Sequence, residues 1–217
     1  SNFFISEYFI RVVSPALVTI MLTEVDEFPS LKDSVAYLAV RMVMQEKDET
    51  FQSKINYALI EIPRYVDRFV ELPEKEGKKY IIILDDLIRH CLGNIFSIFY
   101  YESISAHMIK ITRDAELDLD SDLSRSFLEK ISKSVAKRSS GDPVRFVYDK
   151  TIDKDTLDFL LDKMGIDSTD SIIPGGRYHN RRDYMKFPSL GRKDLLYEIK
   201  PALPIKGLSL QGSLLNE

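Results

Sequence analysis

The chain has 217 residues, with 34 Asp and Glu against 30 Lys and Arg and a formal net charge of -4 at pH 7, a length that fits one large domain or two small ones. Hydrophobic residues make up 44% and charged residues 29%, the balance of an ordinary globular domain, which excludes disordered, collagen-like and coiled-coil readings. A pI near 5.5 removes the general attraction to phosphate backbones on which nucleic-acid binders rely, and no apolar run approaches the ~20 residues of a membrane span.

Ser1-Asn2 reads as an expression scar ahead of FFISEYFIRVV, in which Phe4, Tyr8 and Val12, flanked by Ile5 and Phe9, repeat at helical spacing. Residues 1–30 mix acids among their apolar positions, unlike a signal peptide. Pro15 ends the helix, and ALVTIML (16–22) reads as a strand. Two β-prone apolar runs follow at 34–44 and 54–63, split by the charged turn QEKDET and closed by Pro63; their continuity predicts strands covered on both faces. Residues 65–72 read as an edge strand, PEKEGKK as a hairpin or loop, and Tyr80–Ile83 as a central strand. From Leu84 the period changes to 3 and 4 through Leu87, Ile88, Cys91, Leu92, Ile95 and Phe96. This predicts one helix that carries Cys91 on its packed stripe as a small buried hydrophobe.

Residues 101–122 alternate as a long strand ending in acids, and Ser121 or Asp122 caps a helix with Leu123, Phe127, Leu128, Ile131 and Val135 inward. VRFVYD (144–149) is a strand. Asp153 or Asp155 then caps a helix with Leu157, Leu160, Leu161 and Met164 inward, Gly165 ends it, and SIIP (171–174) is a short strand. The expected class is α+β: a mostly antiparallel sheet with packed helices and a β-α-β-α-β stretch at about 102–174. The expected organisation is a scar at 1–2, one domain at 3–204 and a poorly structured tail at 205–217. Both ends look cut, so the chain is expected to be an excised piece of a longer protein.

Few residues offer chemistry. Asp114, Glu116, Asp118, Asp120 and Asp122 would share one strand face and repel one another unless solvent or cations meet them. A calcium loop over Asp118, Asp120, Asp122 and Glu129 fails at Leu123, where its sharp turn needs glycine, so the acids read as a solvated strand end and a helix cap. His90, His107 and His179 lie far apart without i, i+4 partners, and no GxSxG, GxGxxG or phosphate-binding loop motif occurs. No catalytic residue and no metal ligand is therefore assigned. The lone Cys91 can form neither an internal disulfide nor a Cys-rich zinc site, which points to a reducing cytosol.

The exception is GGRYHNRRDYMKFPSLGRK (175–193). From 177 to 193 it carries Arg177, Arg181, Arg182, Lys186, Arg192 and Lys193 against the single acid Asp183. Glycines let the backbone approach a ligand closely, and arginine suits phosphate and carboxylate. The cluster reads as a polyanion-facing or interface patch, with Arg177, Arg181, Arg182 and Lys186 as the candidate anion ligands. The other reading is a solvated basic loop that balances acids within the fold.

YFIRVVSPALVTIMLTEVDEFPSLKDSVAYLAV, YIIILDDLIRHCLGNIF, ITRDAELDLD and GGRYHNRRDYMKFPSLG, in this order, resemble the middle or head domain of the long, histidine-phosphorylating bacterial polyphosphate kinases, from about Phe3 to Pro204. The resemblance implies a multidomain enzyme that reversibly moves the terminal phosphate of ATP onto polyphosphate through a phosphohistidine, with magnesium. It places the catalytic histidine and most nucleotide and metal ligands in two C-terminal phospholipase-D-like domains, beside a small N-terminal helical domain. None of His90, His107 or His179 matches that histidine. Arg181 stands where the family usually has an aromatic. The implied partners are a second copy, meeting it through this domain, and the N- and C-terminal domains of the same enzyme, with polyphosphate as a further candidate and no nucleic acid. ATP and magnesium would serve the full-length enzyme and not this piece, which would shape the active-site tunnel and be inactive alone. The implied location is cytoplasmic, with the full-length enzyme peripheral to the inner membrane.

Overall fold

A computed structural model describes residues 2–23, 28–45, 54–113, 143–166, 171–178 and 181–198. By packing, the chain divides into two units, Ser1–Phe187 and Pro188–Glu217. In the first, α1 (Asn2–Tyr8) runs into a π-helical turn (Phe9–Val13) and a short 3-10 turn (Ser14–Ala16) that holds Pro15. The buried stripe is Ile5, Phe9 and Val13, one residue round from the predicted Phe4, Tyr8 and Val12; Val12 is exposed. The strands are β1 (Val18–Met21), β2 (Ala36–Met44), β3 (Ile55–Glu61), β4 (Phe69–Lys75), β5 (Lys78–Ile83), β6 (Tyr101–Arg113), β7 (Pro143–Asp149) and β8 (Ser171–Gly175). The remaining helices are α2 (Leu84–His90), α3 (Leu92–Ile95) and α4 (Lys154–Met164).

Six strands form one sheet in the order β1-β3-β2-β6-β7-β8, antiparallel except for the parallel β7–β8 pair that α4 connects. The class is α+β, as the sequence predicts. Side chains alternate across this sheet. Leu38, Val40 and Met42 of β2, Ala58 and Ile60 of β3, and Ala106 and Met108 of β6 join one core with α1, α2 and α3. Tyr37 and Ala39, Tyr57 and Leu59, Ile109 and Ile111, and Phe146 join a second core with Leu160 of α4. The uninterrupted apolar runs of β2 and β3 thus reflect burial on both faces.

Two expectations need correction. Tyr80–Ile83 is no central strand: β5 pairs only with β4, in a two-stranded hairpin, and none of these residues is fully buried, Tyr80 being exposed. A run of isoleucines serves equally a hairpin with one face on a core, which run length cannot distinguish. The β4–β5 turn is Glu76-Gly77, both at positive φ (55° and 71°), with Lys75 opposite Lys78, a two-residue hairpin geometry that suits glycine. The predicted single helix from Leu84 to Phe96 is broken at Cys91 into α2 and α3; Cys91 is buried, as expected, and burial pushes its thiol pKa up. At α4, Asp153 holds the N-cap position without a side-chain cap bond, whereas Asp155 accepts from the Thr156 amide at 2.7 Å and clasps Arg41 of β2.

The acidic run 114–122, the helix expected to follow it, the calcium-type spacing, His179 and the tail from 201 lie outside the described residues. Among the described residues, no helix is long and apolar enough to cross a membrane. In the second unit, Leu190 and Gly191 turn at positive φ, and Arg192 pairs with Asp194 at 2.6 Å beside a short 3-10 turn, Lys193–Leu195.

Candidate functional site

The basic loop meets α2. Helix α2 begins directly behind β5, and its first turn carries two acids, Asp85 and Asp86. The same turn faces a core, so Leu84 and Asp85 are both fully buried while Asp86 sits at the rim. A buried carboxylate needs a partner. Arg68, at the entrance to β4, supplies it: Nη2 donates to Asp85 Oδ2 at 2.8 Å, and Nη1 lies against Oδ1. Burial pushes the Asp85 pKa up, against the pull of Arg68.

Arg68 turns its remaining edge outward, where Nε pairs with Asp183 at 2.9 Å. Asp183 lies in the 3-10 segment Arg181–Lys186. Phe69 packs there against Tyr184 and edge-on against Phe187, with ring centroids 5.9 and 5.1 Å away. One arginine thus ties a buried acid to the segment that crosses it, and the aromatics seal the join. The space left between Arg68, Ile83, Tyr178 and Asp183 is about 10 Å³, room for about one water and not for a phosphate group.

Asp86 collects the loop that follows β8. Arg177 Nη2 and Nε donate to Asp86 Oδ1 at 2.6 and 3.1 Å, and Tyr178 Oη donates to Oδ2. From its own helix, Arg89 Nη1 donates to Oδ1 at 2.8 Å. Partial burial opposes ionisation of Asp86, but the Tyr178 and Arg177 bonds outweigh it and hold its pKa low. The same contact raises Arg177, whose largest cause is its bond to Asp86. Lys150 N donates to Gly175 O at 3.1 Å, which fixes the loop as it leaves the sheet.

The predicted anion ligands are therefore divided. Arg177 is committed to Asp86 while its side chain stays 51% exposed, and Lys186 is exposed. The Arg181 and Arg182 side chains lie outside the described residues. Arg68, Asp85, Asp86 and Arg89 are not singled out by sequence reasoning. The signal that could have found them is an acid pair set inside an apolar run, IIILDDLI, where a helix face must bury one of the two. Among the described residues, no three His, Cys, Asp or Glu side chains converge as a metal site. His90 is exposed at the end of α2 and His107 is half-buried in β6.

The sequence model described as "Polyphosphate kinase middle domain" matches residues 2–187, which takes in the whole of this network. The chain is 41% identical to a polyphosphate kinase of Vibrio parahaemolyticus over 213 residues, 96% of this chain and 29% of the relative. It is 37% identical to that of Escherichia coli K12 over 204 residues, 92% of this chain and 28% of the relative. The crystal structure of a Porphyromonas gingivalis polyphosphate kinase superimposes with a TM-score of 0.67 at 26% identity, covering 93% of this chain and 28% of that one. The chain thus spans under a third of the length of these relatives. It belongs to the polyphosphate kinase family, and it is the middle domain of such a protein.

Proposed function

We propose that this domain is a scaffold within an enzyme that reversibly transfers the terminal phosphate of ATP to polyphosphate with magnesium, the chemistry being carried by other parts of the polypeptide. The observation that carries the reading is the fate of the basic loop. Arg177 and Tyr178 are bonded to Asp86, and Arg68 to Asp85 and Asp183, so the one candidate ligand of the loop whose pairing is described, Arg177, fastens the fold. The reading includes a dimer formed through this domain and a place beside the active-site tunnel. Exposed Phe3, Ile10, Val18 and Tyr65 support it as apolar surface that a second copy or a neighbouring domain would cover. A cytoplasmic enzyme peripheral to the inner membrane is part of the same proposal.

A second reading, a polyphosphate-binding module built on residues 177–193, is favoured by the exposure of Lys186 and of half the Arg177 side chain. Arg177→Ala in the full-length enzyme separates the two. The scaffold reading expects a lower thermal midpoint with unchanged polyphosphate affinity at moderate temperature. The binding reading expects weaker affinity and a shallower salt dependence, since ionic contacts are screened by salt. Sedimentation of the isolated chain tests the dimer: a strict monomer at high concentration counts against it.

A further inference from the structure

The 3-10 segment Arg181–Lys186 is anchored on its inner side and bare on its outer side. Asp183 pairs with Arg68 at 2.9 Å, Arg68 is itself bonded to the fully buried Asp85, and Tyr184 and Phe187 pack on Phe69. The same stretch nonetheless leaves Met185 84%, Phe187 57% and Tyr184 45% exposed. In the run Tyr184-Met185-Lys186-Phe187 only Lys186 carries a charge. Methionine and aromatic side chains are the residues enriched at interface cores, and a segment already held in one geometry loses little further freedom on being covered.

The β4–β5 hairpin backs this patch. Val70, Leu72 and Ile82 turn to the first core, so Phe69, Ile81 and Ile83 lie on the opposite face of the hairpin, with Phe69 opposite Ile83 and Glu71 opposite Ile81. Phe69, Ile83 and Tyr184 border the same space of about 10 Å³, which joins that face to the segment and leaves no room for a small ligand between them. What remains outside is a surface and not a pocket, so its occupant is another apolar surface.

Its place in the chain indicates which one. The match to the middle-domain sequence model ends at Phe187, and the first packing unit ends at the same residue, so the patch sits on the last residues of the domain, where the polypeptide leaves it. The chain makes up only 29% of the Vibrio parahaemolyticus relative, so most of such a protein lies outside it. A partner on the same polypeptide arrives at high effective concentration, and a few exposed side chains on an anchored segment suffice to seat it.

We propose that Tyr184, Met185 and Phe187, on the outside of the β4–β5 hairpin, dock an apolar face of a folded domain that follows this chain in the full-length polypeptide. The proposal rests on the scaffold reading and gives it a surface: Arg177 on Asp86 and Asp183 on Arg68 hold the segment at two points and so set where that domain sits.

Hydroxyl-radical footprinting of Met185, in this chain and in the full-length protein, tests the docking, with p-benzoyl-phenylalanine placed at position 185 of the full-length protein to identify the occupant by photo-cross-linking. Met185 should oxidise about tenfold more slowly in the full-length protein, as its exposure falls from 84% to the few per cent of an interface core. Cross-links should run to sequence beyond residue 217 of the same polypeptide, which mixing nitrogen-14 and nitrogen-15 protein distinguishes from a second copy. Equal oxidation in the two proteins, or cross-links to a second copy or to sequence preceding this chain, would each overturn the proposal. Polyphosphate synthesis by the isolated chain would refute the scaffold reading whatever the state of Met185, so the two fail separately.

Discussion

At the residue scale, the two arginines of the network differ in burial, and their energetic roles differ accordingly. Arg68 serves a carboxylate with no solvent access, so Arg68→Met leaves Asp85 buried and unpaired; breaking such a pair costs about 3–5 kcal/mol. Arg177 is 51% exposed, so Arg177→Ala should cost no more than about 1 kcal/mol. Urea unfolding of the two variants measures the contrast, and equal losses would contradict the ranking. His107 supplies a pH signature. Burial lowers its pKa below the ordinary 6.5, with Asp149 and Asp153 pulling it up and Arg89 and Arg177 pushing it down. The unfolded chain therefore binds this proton first, and stability falls as pH drops below about 6.5 towards the depressed folded value. Asp86, Asp149 and Asp155, all lowered, withdraw stability only further down, as pH falls below the ordinary 3.8 and through their folded values. Thermal midpoints between pH 7 and 5 should decline in the parent and stay flatter in His107→Asn.

At the element scale, turns and caps fix the lengths of the pieces. Helix α4 ends at Gly165 with φ +65° and nothing within 4 Å of where a Cβ would stand; the amide of Ile166 returns to Leu161 O at 2.9 Å to close the end. Gly165→Ala should therefore cost about 1 kcal/mol, from backbone conformation alone. Gly176 also has open space but no positive φ, so Gly176→Ala should change stability by less than about 0.5 kcal/mol. Thermal unfolding of both variants checks this, and a larger loss at Gly176 would point to a loop more tightly held than its surroundings imply. The elements themselves are well marked in the sequence. Uninterrupted apolar runs locate β2 and β3, the 3-and-4 spacing locates α2 and α4, and Gly165 marks an end. The break at Cys91 and the hairpin role of β5 are not legible, because apolar spacing is the same whether a helix pauses or a strand has one neighbour or two.

At the scale of the whole molecule, the sheet's two covered faces can be inferred from uninterrupted apolar runs, whereas its six-strand order cannot. The site shows the same division. The basic loop 177–193 stands out through local charge, but its partners are Asp86 and Arg68, and pairing across 91 residues of sequence, as between Asp86 and Arg177, leaves no periodic trace. The pairing of Arg177 with Asp86 fastens the loop to α2, and that supports a domain which positions chemistry located elsewhere. Incubation of the isolated chain with magnesium and ATP labelled on its terminal phosphate tests this most directly. The account predicts no labelled polyphosphate and no acid-labile phosphate on His90, His107 or His179. Chain growth, or a phosphohistidine at any of the three, would contradict it.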